Sequence, residues 1–583
     1  MDVLYFAFAN DPENPLDELK REDTQINRLL EPLAARNHFR LVRDSYATLD
    51  TIAEKLALYK QDLVLFHFSG HAGPDHIQLT DTPAQSEGLA RFLGECPNLK
   101  LIVLNGCATA PQVEWLRRLK IPLVIATHRP VEDNKAAGFA INFYRMLSLF
   151  DTIEAAFNFA TGYVLSLDSQ IPITRGIITG AAPAGSDGSC WGLFGVAGRE
   201  TAAQWTFSTN LRPQELENYQ PNVRLLDTLL NALAPYRPNI KQMFQKEEDG
   251  YTVVSQADKR KAILEALPHP ISELVRYILV PRSASSQEVF FDQLGLGRLQ
   301  QIYAVYLNVI ELMVFIMLAQ LWDMLSGKPG LQVPASAQQL IREFLLIHQN
   351  RQLEFDHIAL IRAIRELMDQ EQEPYFVEEL IQLREMAEPG SSFSLSDQFF
   401  RNIEADLQGM DENRAKILCI NAEEHLADVL QHLGFITRYT FASIKTIDVL
   451  KYRHERKPLF RHSIVKLEQR FVGLEAEPQV IHGMLDSASV ILLKESDADE
   501  LPFLNLSPFV IDQNAFDDKA TIAKLHFFVR YLPELNGYAF RHIYMANDPL
   551  LVIDNQAIYR IIKVQFEAFA KLLFQQPMKN AVE

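Results

Sequence analysis

Two short runs near the start of the chain, LVLFHF at residues 63–68 and LIVL at 101–104, are apolar at nearly every position. A strand with one face in water alternates apolar and polar side chains, so an unbroken apolar run reads as a central strand covered on both faces. The two runs therefore predict a mostly parallel sheet with helices on either side. The surrounding pattern agrees. Between Val3 and about Gly195, the further β-rich runs VLYFAFA, FRLV and PLVIAT alternate with amphipathic stretches such as residues 15–37 and 49–59, the order expected of an α/β domain.

The rest of the chain changes character twice. From about residue 201 to 410 the apolar spacing is helical, as in 213–234, 257–279, 337–348 and 355–368, with no fixed-period repeat. Beyond Met410 come strand-like runs such as SVILLKE, PFLNLSPFVID, KLHFFVRYL, YAFRHIYM and PLLVID, with Asn536-Gly537 as a hairpin signal and an amphipathic stretch at 556–574. A chain of 583 residues exceeds what one core serves. The expected organisation is an α/β domain over 1–200, an all-α region over 201–410 and an α+β domain over 411–583.

Composition excludes several classes of function. A formal net charge of −18 and the lack of a long basic tract argue against nucleic-acid binding, which needs clustered Lys and Arg. Four scattered cysteines, Cys96, Cys107, Cys190 and Cys419, form neither a disulfide framework nor a CxxC metal site, which fits a reducing cytoplasm. MDVLYFAFANDPENP has no basic region or long apolar core and does not read as a secretory signal. In the one membrane-like stretch, 302–325, Asn308, Glu311 and Gln320 argue against a spanning helix. Ser326-Gly327-Lys328-Pro329 lacks the upstream Gly and following Ser or Thr of a phosphate loop. No cofactor is implied.

The reactive residues stand where the two central strands end. In open α/β sheets the loops beyond the carboxyl ends of the strands build the site. His71 follows the first run in Ser-Gly-His-Ala-Gly, and Cys107 follows the second after Asn105-Gly106. A thiolate nucleophile, a base within reach and backbone amides aimed at a developing oxyanion are the parts of a cysteine peptidase. Cys107 and His71 supply the first two; the amides of Ala72, Gly73 and Cys107 are the candidate oxyanion donors. Cys96, Cys190 and Cys419 read as buried, inert thiols. A metal reading of His67, His71 and His76 fails for want of a thiolate or a clear carboxylate ligand, and His67 reads as a strand histidine packed or hydrogen-bonded near the site.

The blocks LVLFHFSGHAG and LIVLNGCATA resemble those of CHAT domains, caspase-like peptidases of bacterial conflict systems related to caspases, metacaspases and separase. The likeness continues through IPLVIATHRPVEDNKAAGFAINFYRML and DTIEAAFNFA to SCWGLFG, about the first third of the chain. It implies a caspase-like domain in which Cys107 attacks a peptide carbonyl, His71 assists proton transfer, and the amides of Ala72 and Cys107 stabilise the intermediate. Cys107 stands in NGCAT rather than the QAC-x-G of animal caspases, and its distance from His71 is shorter than their roughly 50 residues. That argues against cleavage after aspartate.

By the same resemblance, Asp133, beside Glu132, matches an acidic position that in separases contacts a basic residue before the cut. Such a carboxylate would favour Arg or Lys. The competing role is structural: Asp133 precedes the helical run 134–147, where an N-cap aspartate accepts backbone hydrogen bonds. Two functions compete as well. One is a regulated endopeptidase that cleaves a partner protein in antiviral defence or programmed cell death, restrained by the later domains or by a sensor protein. The other is a non-catalytic scaffold that keeps the fold as a docking platform.

Overall fold

The computed structural model describes residues 1–583 apart from 11–14, 107–108, 129, 168–176, 180–189, 208–218, 249–253, 282–290, 347–354, 383–387, 389, 405, 408, 455–456, 468–476, 482–484, 495–501, 517–522, 545–547 and 576–583. The chain divides into two compact units, Met1–Tyr219 and Gln220–Glu583.

In the first unit the strands are β1 (Val3–Ala9), β2 (Arg40–Asp44), β3 (Leu63–Gly70), β4 (His76–Gln78), β5 (Pro83–Gln85), β6 (Leu101–Asn105), β7 (Leu123–Thr127), β8 (Ile177–Ile178) and β9 (Trp191–Gly195). Seven of them form one sheet in the order β2-β1-β3-β6-β7-β9-β8. All neighbours in it run parallel except β7 and β9, which are antiparallel. The apolar runs are adjacent central strands, paired from Leu65 with Leu101 to Ser69 with Asn105. Strands β4 and β5 form a separate small hairpin.

Helices cover both faces, as the continuous apolar strands require. One face packs Tyr5, Phe66, Phe68, Ile102 and Leu104 against α2 (Leu49–Leu58), α3 (Ser86–Gly94) and α4 (Val113–Arg118). The opposite face turns Phe6, Phe8 and His67 toward α1 (Leu19–Ala35) and α5 (Asp133–Ser148), where Tyr144 lies edge-on to Phe6 at 4.9 Å. Helix α6 (Ile153–Leu167) packs on α5.

The second unit begins with α7 (Val223–Leu233), α8 (Pro238–Glu248), α9 (Gln256–Ala266) and α10 (His269–Leu279). Its axis is the 32-residue α11 (Leu296–Gly327), followed by α12 (Ala335–Leu345), α13 (His357–Gln370), α14 (Ser392–Glu404) and α15 (Glu412–Leu430). Among the described residues α11 is the one helix long and apolar enough to cross a membrane, and most of its apolar window is buried inside this unit. It is a core helix here.

Strands β10 (Tyr439–Leu450), β11 (Leu459–Lys466), β12 (Glu477–Ile481), β13 (Ser489–Lys494) and β14 (Phe503–Asn505) build a five-stranded sheet. A four-stranded sheet follows from β15 (Val510–Asp512), β16 (Leu525–Leu532), β17 (Gly537–His542) and β18 (Leu551–Ile553), and α16 (Arg560–Phe574) ends the described chain. The helical middle and the strand-rich end fall within one unit, whereas the sequence pattern divides them at Met410. Phe315 of α11 packs on Phe509 and Phe527, and Phe566 of α16 stacks on Tyr538 at 4.2 Å. The change of periodicity at Met410 marks a change of element type within one unit.

Candidate active site

Strands β3 and β6 end side by side in parallel register, so the chain leaves both at the same edge of the sheet. His71 is the first residue after β3, and Gly106 the first after β6. Cys107 lies outside the described residues. A Cβ on Gly106 would stand 2.7 Å from the Ala72 Cβ and 2.8 Å from the Gly70 carbonyl oxygen. Only glycine lets the turn that leads to Cys107 lie directly against the one that carries His71.

Further bonds fix both turns. The Gln112 side-chain amide, five residues beyond Cys107, donates to the carbonyl oxygens of Gly73 at 2.6 Å and His76 at 3.1 Å. On the other side, the Thr127 hydroxyl at the end of β7 donates to the Gly106 carbonyl oxygen. The Thr109 hydroxyl donates to the Leu104 carbonyl at 3.2 Å and accepts the Thr127 N–H at 3.0 Å. Gly106, Thr109 and Gln112, which flank Cys107 in the sequence, are thus bonded to β6, β7 and the His71 turn.

The two oxyanion candidates beside His71 differ. Residues 71–73 pair with 76–78 in a tight antiparallel bridge: Gly73 N–H donates to His76 O at 2.9 Å and Gln78 N–H to His71 O at 2.8 Å. Gly73 N–H is therefore spent inside the turn and is not open to an oxyanion, contrary to the sequence expectation. Alternation along such a bridge turns the Ala72 N–H the other way. Its nitrogen lies 3.6 Å from where a Gly106 Cβ would be, and it has no hydrogen-bond partner among the described residues.

Under these turns lies a buried polar cluster. Glu22 of α1 is 2% exposed and His67 of β3 fully buried. The Glu22 carboxylate accepts Ser69 Oγ–H at 3.0 Å and Asn105 Nδ2–H at 3.0 and 3.1 Å, and stands 3.2 Å from His67 Nε2. The Tyr144 hydroxyl lies 3.0 Å from His67 Nδ1, and burial together with the Glu22 charge holds its pKa well above the ordinary tyrosine range. Asn105 Nδ2 also reaches the Ala136 carbonyl at 3.2 Å. Ser69 precedes His71 by two residues, and Asn105 precedes Cys107 by two.

The sequence reading places His67 beside the site and misses Glu22 and Tyr144. A signal was present. Leu19, Ile26, Leu29, Leu30 and Leu33 mark the buried stripe of α1, and Glu22 falls on it, where a carboxylate persists only if partnered.

The acidic pair after β7 is engaged elsewhere. Helix α5 starts at Asp133, so Glu132 occupies the N-cap position and makes no side-chain cap bond there. Asp133 Oδ2 instead accepts the Glu18 N–H at 3.0 Å, tying the start of α1 to the start of α5, while exposed Glu132 lies 3.2 Å from Lys135 Nζ. The cap expectation for Asp133 misses by one position, because the helix begins one residue earlier than the polar pattern suggests. An acid in the first turn still complements the helix dipole.

The remaining candidates are buried or bonded to other partners. His76 bonds Asp75 at 2.8 Å, so His67 and His76 have separate partners, and no three His, Cys, Asp or Glu side chains among the described residues group to hold a metal ion. Burial pushes the Cys96 thiol up and that of Cys419 to about 11, which suppresses the reactive thiolate in both. Cys190 is buried next to β9. No protein-family model matches the chain, and no curated protein matches it.

Proposed function

We propose that this chain is a regulated cysteine endopeptidase of the caspase-like type, in which Cys107 and His71 act together on a peptide bond of a partner protein. One observation carries the reading: the turns leading to Cys107 and His71 leave adjacent parallel strands at one sheet edge, packed so closely that Gly106 admits no side chain against Ala72. In this mechanism the Cys107 sulfur adds to the carbonyl carbon, and the Ala72 N–H, directed away from its 76–78 bridge partner, bonds the oxygen as it gains charge. The C–N bond then breaks, and His71 delivers the thiol proton to the departing amine. Water, deprotonated by His71, hydrolyses the thioester and frees the acid product and the thiol.

A setting in bacterial defence or programmed cell death, a reducing cytoplasm and control by the helical and strand-rich unit or by a sensor protein complete the proposal. The free thiols of buried Cys96 and Cys419 accord with the cytoplasm. Asp133 and Glu132, each with a partner within the fold, lend no support to a pocket for basic residues. A thiol-reactive peptide probe tests the reading. Selective modification of Cys107 that is lost in His71→Ala is the expected result; no modification in any activated state would favour the docking platform instead.

A further inference from the structure

We infer that Glu22 is the positioning residue that holds the nucleophile turn and the histidine turn in register; this rests on the peptidase reading above. Its carboxylate bonds to both strands immediately beneath the two turns, through Ser69 of β3 and Asn105 of β6. Both partners are buried, and the carboxylate itself is 2% exposed. It touches no substrate from there. Asn105 Nδ2 serves Glu22 and the Ala136 carbonyl, while Oδ1 is buried without a partner among the described residues.

The fourth contact fixes the direction of the cluster. With the Tyr144 hydroxyl donating to His67 Nδ1, the Nε2 of His67 carries its proton toward Glu22. Three donors from β3 and β6 then converge on one side chain of α1, and α1 is itself anchored by Asp23, whose carboxylate bonds Arg43 and Ser45 at 2.8 Å. Helix α1 is thus bonded to β2 and the turn after it as well, and Glu22 ties that helix to the strand ends that lead to His71 and toward Cys107. Two turns that must meet within hydrogen-bond reach lose rate steeply when one moves by an ångström, on the order of 100-fold.

The test uses the full chain with Glu22→Gln, Glu22→Ala and Ser69→Ala. Each is assayed for kcat and KM on a cleaved peptide and for the pH dependence of Cys107 alkylation by iodoacetamide. Glu22→Ala is expected to lower kcat on the order of 100-fold with KM nearly unchanged. It should also move the alkylation midpoint up toward that of an ordinary thiol near pH 8.5. Glu22→Gln, which keeps the shape and one acceptor, should recover part of both. If Glu22→Ala does not fold, Ser69→Ala, which removes a single tether, should show the same two changes at smaller size. Folded variants with the wild-type kcat and alkylation midpoint overturn the inference while leaving the peptidase reading standing. A wild type that neither cleaves nor reacts selectively at Cys107 overturns that reading, and this inference with it.

Discussion

Gly106 faces Ala72 across the carboxyl edge of the first unit's sheet with no room for a side chain, since a Cβ on Gly106 would stand 2.7 Å from that of Ala72. Backbone and a short, stiff side chain line the gap, so neither turn can yield cheaply. Gly106→Ala should therefore displace the Cys107 turn and reduce peptide cleavage on the order of 100-fold. Steady-state kinetics beside a melting curve checks this; full activity in a folded variant would show that the turns tolerate separation.

Thr127 is buried at the end of β7, and its hydroxyl serves the Gly106 carbonyl and the Thr109 N–H. Thr127→Val keeps the shape and leaves those groups without their partner. A loss of about 1–3 kcal/mol of stability is expected, the usual cost of an unsatisfied buried group. Urea unfolding of the first unit's signal measures it.

In the second unit, Arg298 at the start of α11 is completely buried against Glu423 of α15, with the nearest oxygen at 2.5 Å. Glu423 also accepts the Asn222 N–H at 2.7 Å, and Arg298 donates to the Phe291 carbonyl at 2.7 Å. Glu423→Ala strands a guanidinium in the core and should cost roughly 3–5 kcal/mol. A shift in the denaturation midpoint worth under about 1 kcal/mol would mean that water reaches Arg298.

Acid should destabilise the second unit through buried histidines. Burial between Phe344 and Phe355 pulls the His357 pKa down to about 4, and burial does the same for His526. In the unfolded chain these groups take a proton near pH 6.5. The stability they contribute is complete above that pH and is lost as pH falls from about 6.5 toward 4, up to roughly 3 kcal/mol for His357. His357→Phe should flatten the fall in stability over this window, as read from chemical unfolding at a series of pH values.

How much of this is legible in the sequence depends on the range over which each feature is encoded. The central strands are visible because burial on both faces leaves an uninterrupted apolar run in β3 and β6. The Asn536-Gly537 signal is local too: Asn536 takes the left-handed conformation in the loop joining β16 to β17. The helical stretch 257–279 instead breaks into α9 and α10, where Pro268 and Pro270 interrupt it. Long strands β10 and β11 escape the pattern because polar residues such as Lys445, Asp448 and His462 fall within them. Glu22 escapes for a different reason. Its partners lie 45 to 83 positions away, and only the folded sheet brings them together.

The most direct measurement is a map of new protein termini in bacteria expressing the wild type, Cys107→Ala or His71→Ala as full chains under activating conditions. A set of termini present with the wild type and absent with both variants is the expected result, and it would identify the cleaved partner. Identical maps from all three chains would contradict a peptidase built on Cys107 and His71.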